Sequence, residues 1–267
     1  MNEIFSSNRF FKLLKKEVTE RAPMIIRIAG IFSLILAGSL LNVIFDGGPL
    51  SIASRNSYLL FATFITMVIA PFNLYKNYNH PKKGIDYVLL PASVTEKFLS
   101  MLTNTVIILP LITFFSVLLT DTILSTISPS MFPGYLVSSL WSTGKLFENV
   151  AEALIFQQGC ILGNFLFKKN KIFKTMLSGA GLYVILALII MLLFTVFFKE
   201  QLGDLNNMNM HISIGCNSLS DLGKLENTGG MGGLLKGLYY FVIIVFYVIF
   251  PAGFLTGTFY KMKTQQY

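Results

Sequence analysis

The chain has 267 residues, of which 54% are hydrophobic and only 13% charged, with a formal net charge of +8. Soluble domains carry about 25% charged residues, so this chain lacks the polar surface that water requires, and lipid is the natural solvent for most of its side chains. The excess of cations then speaks to membrane orientation rather than to nucleic acid. The two cysteines, Cys160 and Cys216, stand in unlike segments without a CxxC spacing and give no disulfide or thiolate-metal framework.

Residues 1–23 are basic with apolar punctuation. On a helical wheel Phe10, Phe11, Leu13, Leu14 and Val18 share one side, while Lys12, Lys15, Lys16, Thr19 and Glu20 fall mostly on the other. This pattern predicts an amphipathic helix lying in the membrane interface. The apolar run that follows, Met24–Phe45, has 22 residues. It exceeds the roughly 7–15 residues of a signal-peptide core and no A-x-A site follows, so it is expected to stay in the membrane.

Five more apolar segments succeed it: Ser57–Tyr75, Leu102–Thr120, Val150–Phe167, Met176–Phe198 and Leu238–Phe259. With the first, they are 18 to 23 residues long, near the ~20 needed to cross a hydrocarbon core. The expectation is an all-α membrane protein with six transmembrane helices over residues 24–260 and a short tail, 261–267. The Val150–Phe167 segment is the most polar of the six, holding Glu152, Gln157, Gln158 and Asn164.

Lys and Arg counting orients the bundle. With the N-terminus inside, fifteen cations fall on inner segments, among them Lys12, Lys15, Lys16, Lys82, Lys83, Lys168 and Lys169. Five fall outside: Arg55, Lys145, Lys199, Lys224 and Lys236. Both termini are therefore expected in the cytosol, in a multi-pass protein of the cytoplasmic (inner) membrane. Of the outer loops, 121–149 carries Pro129, Pro133 and the lone Trp141, and 199–237 is the longest, rich in Gly and Asn.

Pro71, Pro110 and Pro251 each remove a backbone donor within a span and are expected to bend it. Gly159-x-x-x-Gly163 and Gly253-x-x-x-Gly257 permit close helix packing. Glu152, Gln157 and Gln158 are polar groups in or at the edge of a span and are candidates for a solute pathway, with interhelical hydrogen bonding as the alternative.

Between the second and third spans lies a charged loop, 76–97, that nevertheless keeps Ile85, Tyr87, Val88, Leu89 and Leu90 together. Apolar residues clustered on a segment facing water call for a partner to cover them. Ser93-Val94-Thr95-Glu96 fits a capping box and Pro91 discourages helix across the junction. A helix is thus predicted from Val94 through the third span to Thr120, about 40 Å long, with roughly 10 Å standing out of the membrane.

The string Gly84, Ile85, Asp86, Tyr87, Val88, Leu89, Leu90, Pro91, Ala92, Ser93, with Lys97 following, resembles the coupling segment of the membrane subunits of ABC exporters, the superfamily of drug, O-antigen and bacteriocin permeases. The layout, a basic interfacial helix and six spans, is similar over nearly the whole chain. The resemblance implies a permease half that pairs with a second copy or a paralogous permease, and that docks a separate ABC ATPase on Asp86, Tyr87, Leu89, Leu90, Pro91 and Ser93. ATP and Mg would belong to that ATPase, and this chain would bind no cofactor itself. Consistently, no G-x-x-x-x-G-K-[ST] string occurs.

Enzyme chemistry finds no footing, since H-E-x-x-H and G-x-S-x-G are both absent. Met208, Met210, His211 and Cys216 gather soft ligands in the long outer loop, but nothing in their spacing enforces a geometry, so no metal is assigned. A rival reading is a non-transporting membrane scaffold or sensor whose outer loop binds a partner. Apolar spans with a modest polar strip are compatible with lipid-like molecules, peptides, glycans and small toxic compounds as cargo.

Overall fold

The structure, a computed structural model, describes residues 5–46, 48–78, 89–140, 146–197, 237 and 240–264, and all regular structure among them is helical. The helices are α1 (Ser7–Asp46), α2 (Ile52–Leu74), α3 (Val94–Ile127), the short α4 (Leu136–Leu140), α5 (Leu146–Leu166), α6 (Lys171–Phe197) and α7 (Tyr240–Thr264). Five of them, α1, α2, α3, α6 and α7, are long and apolar enough to cross a membrane. Helix α5 carries a shorter apolar stretch, Val150–Leu166. The chain is thus a multi-pass, all-helical membrane protein.

Two compact units divide the chain, residues 1–172 with 254–267 and residues 173–253. In the first, α1 and α3 run parallel, side by side. Glu96 of α3 meets Ser6 and Arg9, Glu17 of α1 meets Ser100 and Asn104, and Ser33 meets Ser116 at 2.7 Å. Helix α2 runs antiparallel to both, with Tyr75 at the Glu17 level and Arg55 at the Asp121 level. Helix α5 shares the direction of α2, placing Gln157 against Thr105 and Asn164 against Pro71 and Tyr75. In the second unit residues 173–192 of α6 are apolar and mostly exposed, a surface that lipid tolerates and water does not.

Two large buried clusters, with a smaller one of Val68, Phe72 and Cys160, fill the first unit. One, toward the start of α1, gathers Ile25, Leu74, Tyr75, Met101, Phe165 and Met262. The other, toward the opposite end, gathers Leu36, Leu59, Val117, Leu124, Phe132 and Leu136. The outer faces of the same helices, at Ile26, Leu34, Leu41, Phe115 and Leu119, stay exposed, as lipid-facing positions do.

The boundary expected at residue 23 has no counterpart in the helix pattern. The basic segment and the first span form one helix of 40 residues, with Pro23 inside it. The physical reason lies in its buried face: Leu13, Glu17, Ile25 and Ala29 follow helical spacing straight across the proline. At 1.5 Å per residue this helix is about 60 Å long, twice the hydrocarbon thickness.

Helix α3 starts where the capping box predicts. Ser93 Oγ accepts from the Glu96 amide at 3.2 Å, and Glu96 Oε2 accepts from the Ser93 amide at 2.8 Å. Pro110 and Pro251 act by widening turns, whereas Pro71 lies within an α-helix without a π segment. Thr103–Ile108 forms a π segment two residues before Pro110, and Val245–Ile249 forms one just ahead of Pro251. In each case an α-helical carbonyl four residues before the proline would meet its ring and find no N–H, and the wider turn accommodates this.

Candidate functional site

The end of the first unit at which the 76–97 loop attaches is built on two buried carboxylates. Glu96 is fully buried. Besides closing the capping box, it accepts from the Ser6 amide at 2.7 Å and from Arg9 Nη2 at 3.0 Å, both through Oε1. Ser6 precedes the first residue of α1, so its amide is one of the donors a helix start leaves free. One side chain therefore caps two helices and holds the entry of α1 against the exit of the loop.

Some two turns along α1, Glu17, 2% exposed, reciprocates the grip. Its Oε2 accepts from Tyr75 Oη at 2.7 Å, Ser100 Oγ at 2.9 Å and Asn104 Nδ2 at 2.9 Å. Such gathering of neutral donors is how a buried carboxylate is kept in place without a counter-charge in direct contact. Arg21 adds a cation over the Tyr75 ring, 3.6 Å from its centre. Burial holds the Tyr75 phenol well above its ordinary value; Arg21 opposes this, and the Glu17 charge and hydrogen bond add to it. Burial likewise raises Tyr78.

The C-terminal end of α2 is finished from α5 and the turn after it. Asn164 Nδ2 donates to the Pro71 and Tyr75 carbonyls at 2.9 and 3.3 Å. Lys171 Nζ donates to the Lys76 carbonyl at 2.9 Å and to Asn164 Oδ1 at 3.0 Å. The Pro71 and Tyr75 carbonyls, which already accept from the Tyr75 and Tyr78 amides at 3.2 Å each, thereby gain a second donor, the Lys76 carbonyl gains the lysine, and the lysine charge complements the negative end of the helix.

Of the loop, residues 76–78 and 89–97 are described. Leu89 is 69% exposed, Leu90 is half-buried, Pro91 is exposed and Ser93 is buried in its cap. Asp86 and Tyr87 lie outside the described residues, as do His80, Trp141, Met208, Met210, His211 and Cys216. Among the described residues no group of three or more His, Cys, Asp or Glu could hold a metal.

The pathway candidates of α5 separate. Glu152 is exposed and Gln158 half-buried. Gln157 is fully buried, and its Nε2 donates to the Thr105 carbonyl at 2.7 Å. The π segment accounts for that bond. The Leu109 amide donates to Asn104, five residues back, and residue 110 is a proline without an amide. Thr105 thus loses its donor to its neighbour in one register and to proline in the other, and Gln157 supplies the replacement.

The glycines divide as well. A Cβ on Gly159 would meet the Phe254 ring at 3.5 Å, and one on Gly257 would meet Leu162 at 3.3 Å, so these two sit where α5 and the end of α7 approach closely. A Cβ on Gly253 would meet nothing within 4 Å. Gly163 is buried, its carbonyl taken by the Phe167 amide at 3.0 Å.

The opposite end holds a feature that the sequence spacing does not announce. Arg55 and Asp121 are both fully buried and paired at 2.9 Å. Arg55 Nη1 also donates to Ser125 Oγ at 2.9 Å, and Nη2 donates to the Pro133 and Gly134 carbonyls at 2.6 and 3.0 Å. The guanidinium thereby staples residues 132–136 over α2 and α3. Gly134 has φ +71°, and a Cβ there would lie 2.9 Å from Ile52 Cδ1, so no other residue fits without strain. A cation counted toward orientation is thus neutralised within the protein.

Comparison with protein-family profiles, with curated proteins and with solved structures finds no match for this chain.

Proposed function

We propose that this chain is the permease subunit of an ATP-driven exporter in the cytoplasmic membrane. It would supply half of a dimeric pathway, either with a second copy or with a paralogous permease. A separate P-loop ATPase, carrying ATP and Mg, docks on the loop between α2 and α3. In this reading α5 is a sixth span, and both termini lie with the loop on the cytosolic side, where the positive-inside bias puts the cation-rich segments.

The observation that carries the proposal is how the loop's exit is built. Leu89 stands exposed beside Pro91, and four residues on a rigid capped helix starts, with Glu96 tied to Ser6 and Arg9 of α1. A push on this loop meets two membrane helices at once rather than a slack linker. That suits a segment that passes on force from a nucleotide-driven partner. The π segment of α3, half a dozen residues further in, supplies a place where the helix can change register.

The test is copurification from mild detergent. An ATPase bearing a P-loop is expected to accompany the wild-type chain and to be lost from the Leu89→Asp/Leu90→Asp variant while the variant's own yield and elution hold. Recovery of the chain without any ATPase, or with an ATPase indifferent to both substitutions, would remove this reading in favour of a scaffold or sensor.

A further inference from the structure

The cation-rich end of the first unit has a charge imbalance with a structural cause. Among its described residues three carboxylates occur, Glu17, Glu20 and Glu96. Glu17 and Glu96 are buried, and their described bonds go to Tyr75, Ser100, Asn104, Ser6, Arg9 and Ser93. Only Glu20 faces outward, 3.7 Å from Lys16. Against it stand Lys12, Lys15, Lys16, Arg27, Lys168 and Lys169, all exposed. The acidic groups that would balance this surface have been taken inside to hold α1 to α3, and the surface is left strongly positive.

The same imbalance has a definite depth. Along α1 the buried face is continuous, but the exposed face changes character. It carries Phe11, Lys12, Lys15 and Lys16 first, then Ile26 and Arg27, and from Ile31 onward large apolar residues such as Leu34, Ile35, Leu41 and Phe45. The switch near Ile26 marks where hydrocarbon begins. Lys16 lies about 15 Å along the helix from Ile26, and headgroups occupy about 5–8 Å of that span. The remainder is about one Debye length, so Lys16 stands within the field of the headgroup phosphates. Arg27, at the boundary itself, can extend its guanidinium back toward them.

We infer that this cation-rich end, with Lys12, Lys15, Lys16 and Arg27 of α1 and Lys168 and Lys169 of the α5–α6 turn, binds anionic phospholipid headgroups. The complement is one of charge: clustered lysines just outside a span attract anionic lipid, an effect on the order of fivefold in affinity per cation at the surface that falls off over a Debye length. The inference needs the chain to be in a membrane and does not depend on an ATPase.

The full-length chain in neutral detergent is offered an equimolar mixture of phosphatidylglycerol and phosphatidylcholine, and the lipids retained are counted by native mass spectrometry. Phosphatidylglycerol is expected in several-fold excess, the excess shrinking as salt rises. The variant K12Q/K15Q/K16Q should retain the two lipids in near parity, and K12R/K15R/K16R should behave as wild type. Equal retention of both lipids by the wild-type chain would overturn the inference and leave the face to an acidic protein partner. A glutamine variant that elutes as wild type yet keeps the preference would overturn it equally.

Discussion

The first unit carries buried charge at both ends, and the ends use it in opposite ways. Where residues 132–136 fold back over α2 and α3, a carboxylate meets a guanidinium directly, Asp121 against Arg55, both fully buried. At the end bearing the 76–97 loop, Glu17 is held by a phenol, a hydroxyl and a carboxamide, and Glu96 by two amides and the half-exposed Arg9. In the first arrangement charge neutralises charge, and neither partner can be lost cheaply. In the second, acceptor capacity is what matters, and most of the bonds tie α1 to α3. The first makes a fixed lid, while the second makes a clamp between two helices.

Substitutions that keep shape and remove charge separate the two ends. Asp121→Asn leaves the Arg55 cation buried without its counter-charge, and the expected loss of stability is about 3–5 kcal/mol, read as a fall in the thermal midpoint in detergent. Glu17→Gln keeps a carbonyl oxygen for Tyr75 and Asn104 and should cost only about 1–2 kcal/mol, the difference between charge-assisted and neutral bonds. If the two variants lose equal stability, the contrast between lid and clamp fails.

The smallest effect is in the alkaline limb. Tyr75 has its folded pKa raised by burial, so its contribution to stability is intact below its unfolded pKa of about 10 and declines as pH rises above that. Tyr75→Phe should therefore flatten the loss of thermal stability above about pH 10 while lowering the plateau slightly through the lost bond to Glu17. An alkaline limb as steep as in the wild type would mean that this phenol is not the group responsible.

The parts of the fold legible in sequence are those written in local patterns. Apolar run length predicted the long spans, and Ser93 with Glu96 marked the start of α3 because a capping box needs only four consecutive residues. The prolines were legible as disturbances, while the form of the response, a widened turn whose spare carbonyl Gln157 satisfies, depends on α5 lying alongside and so on tertiary packing. Arg55–Asp121 and the Glu17 cluster were not legible for the same reason. Their partners stand 66 and 58 to 87 residues apart, and no periodicity links an arginine before one span with an aspartate after another. Glu17 also lies among lysines in a segment that reads as an interfacial helix, where a glutamate looks like one more solvated charge. Its burial follows from the continuity of α1 through Pro23, which the proline argues against.

The most direct measurement concerns Leu89, the exposed residue next to the capped start of α3. In a chain with Cys160→Ala and Cys216→Ser, Leu89→Cys is treated with a membrane-impermeant maleimide in right-side-out and in inverted vesicles. Labelling is expected only in inverted vesicles, and it should fall when the ATPase expected to copurify is added to them. Labelling from the outside, or labelling in inverted vesicles that the ATPase leaves unchanged, would contradict the claim that this loop is where the permease meets its motor.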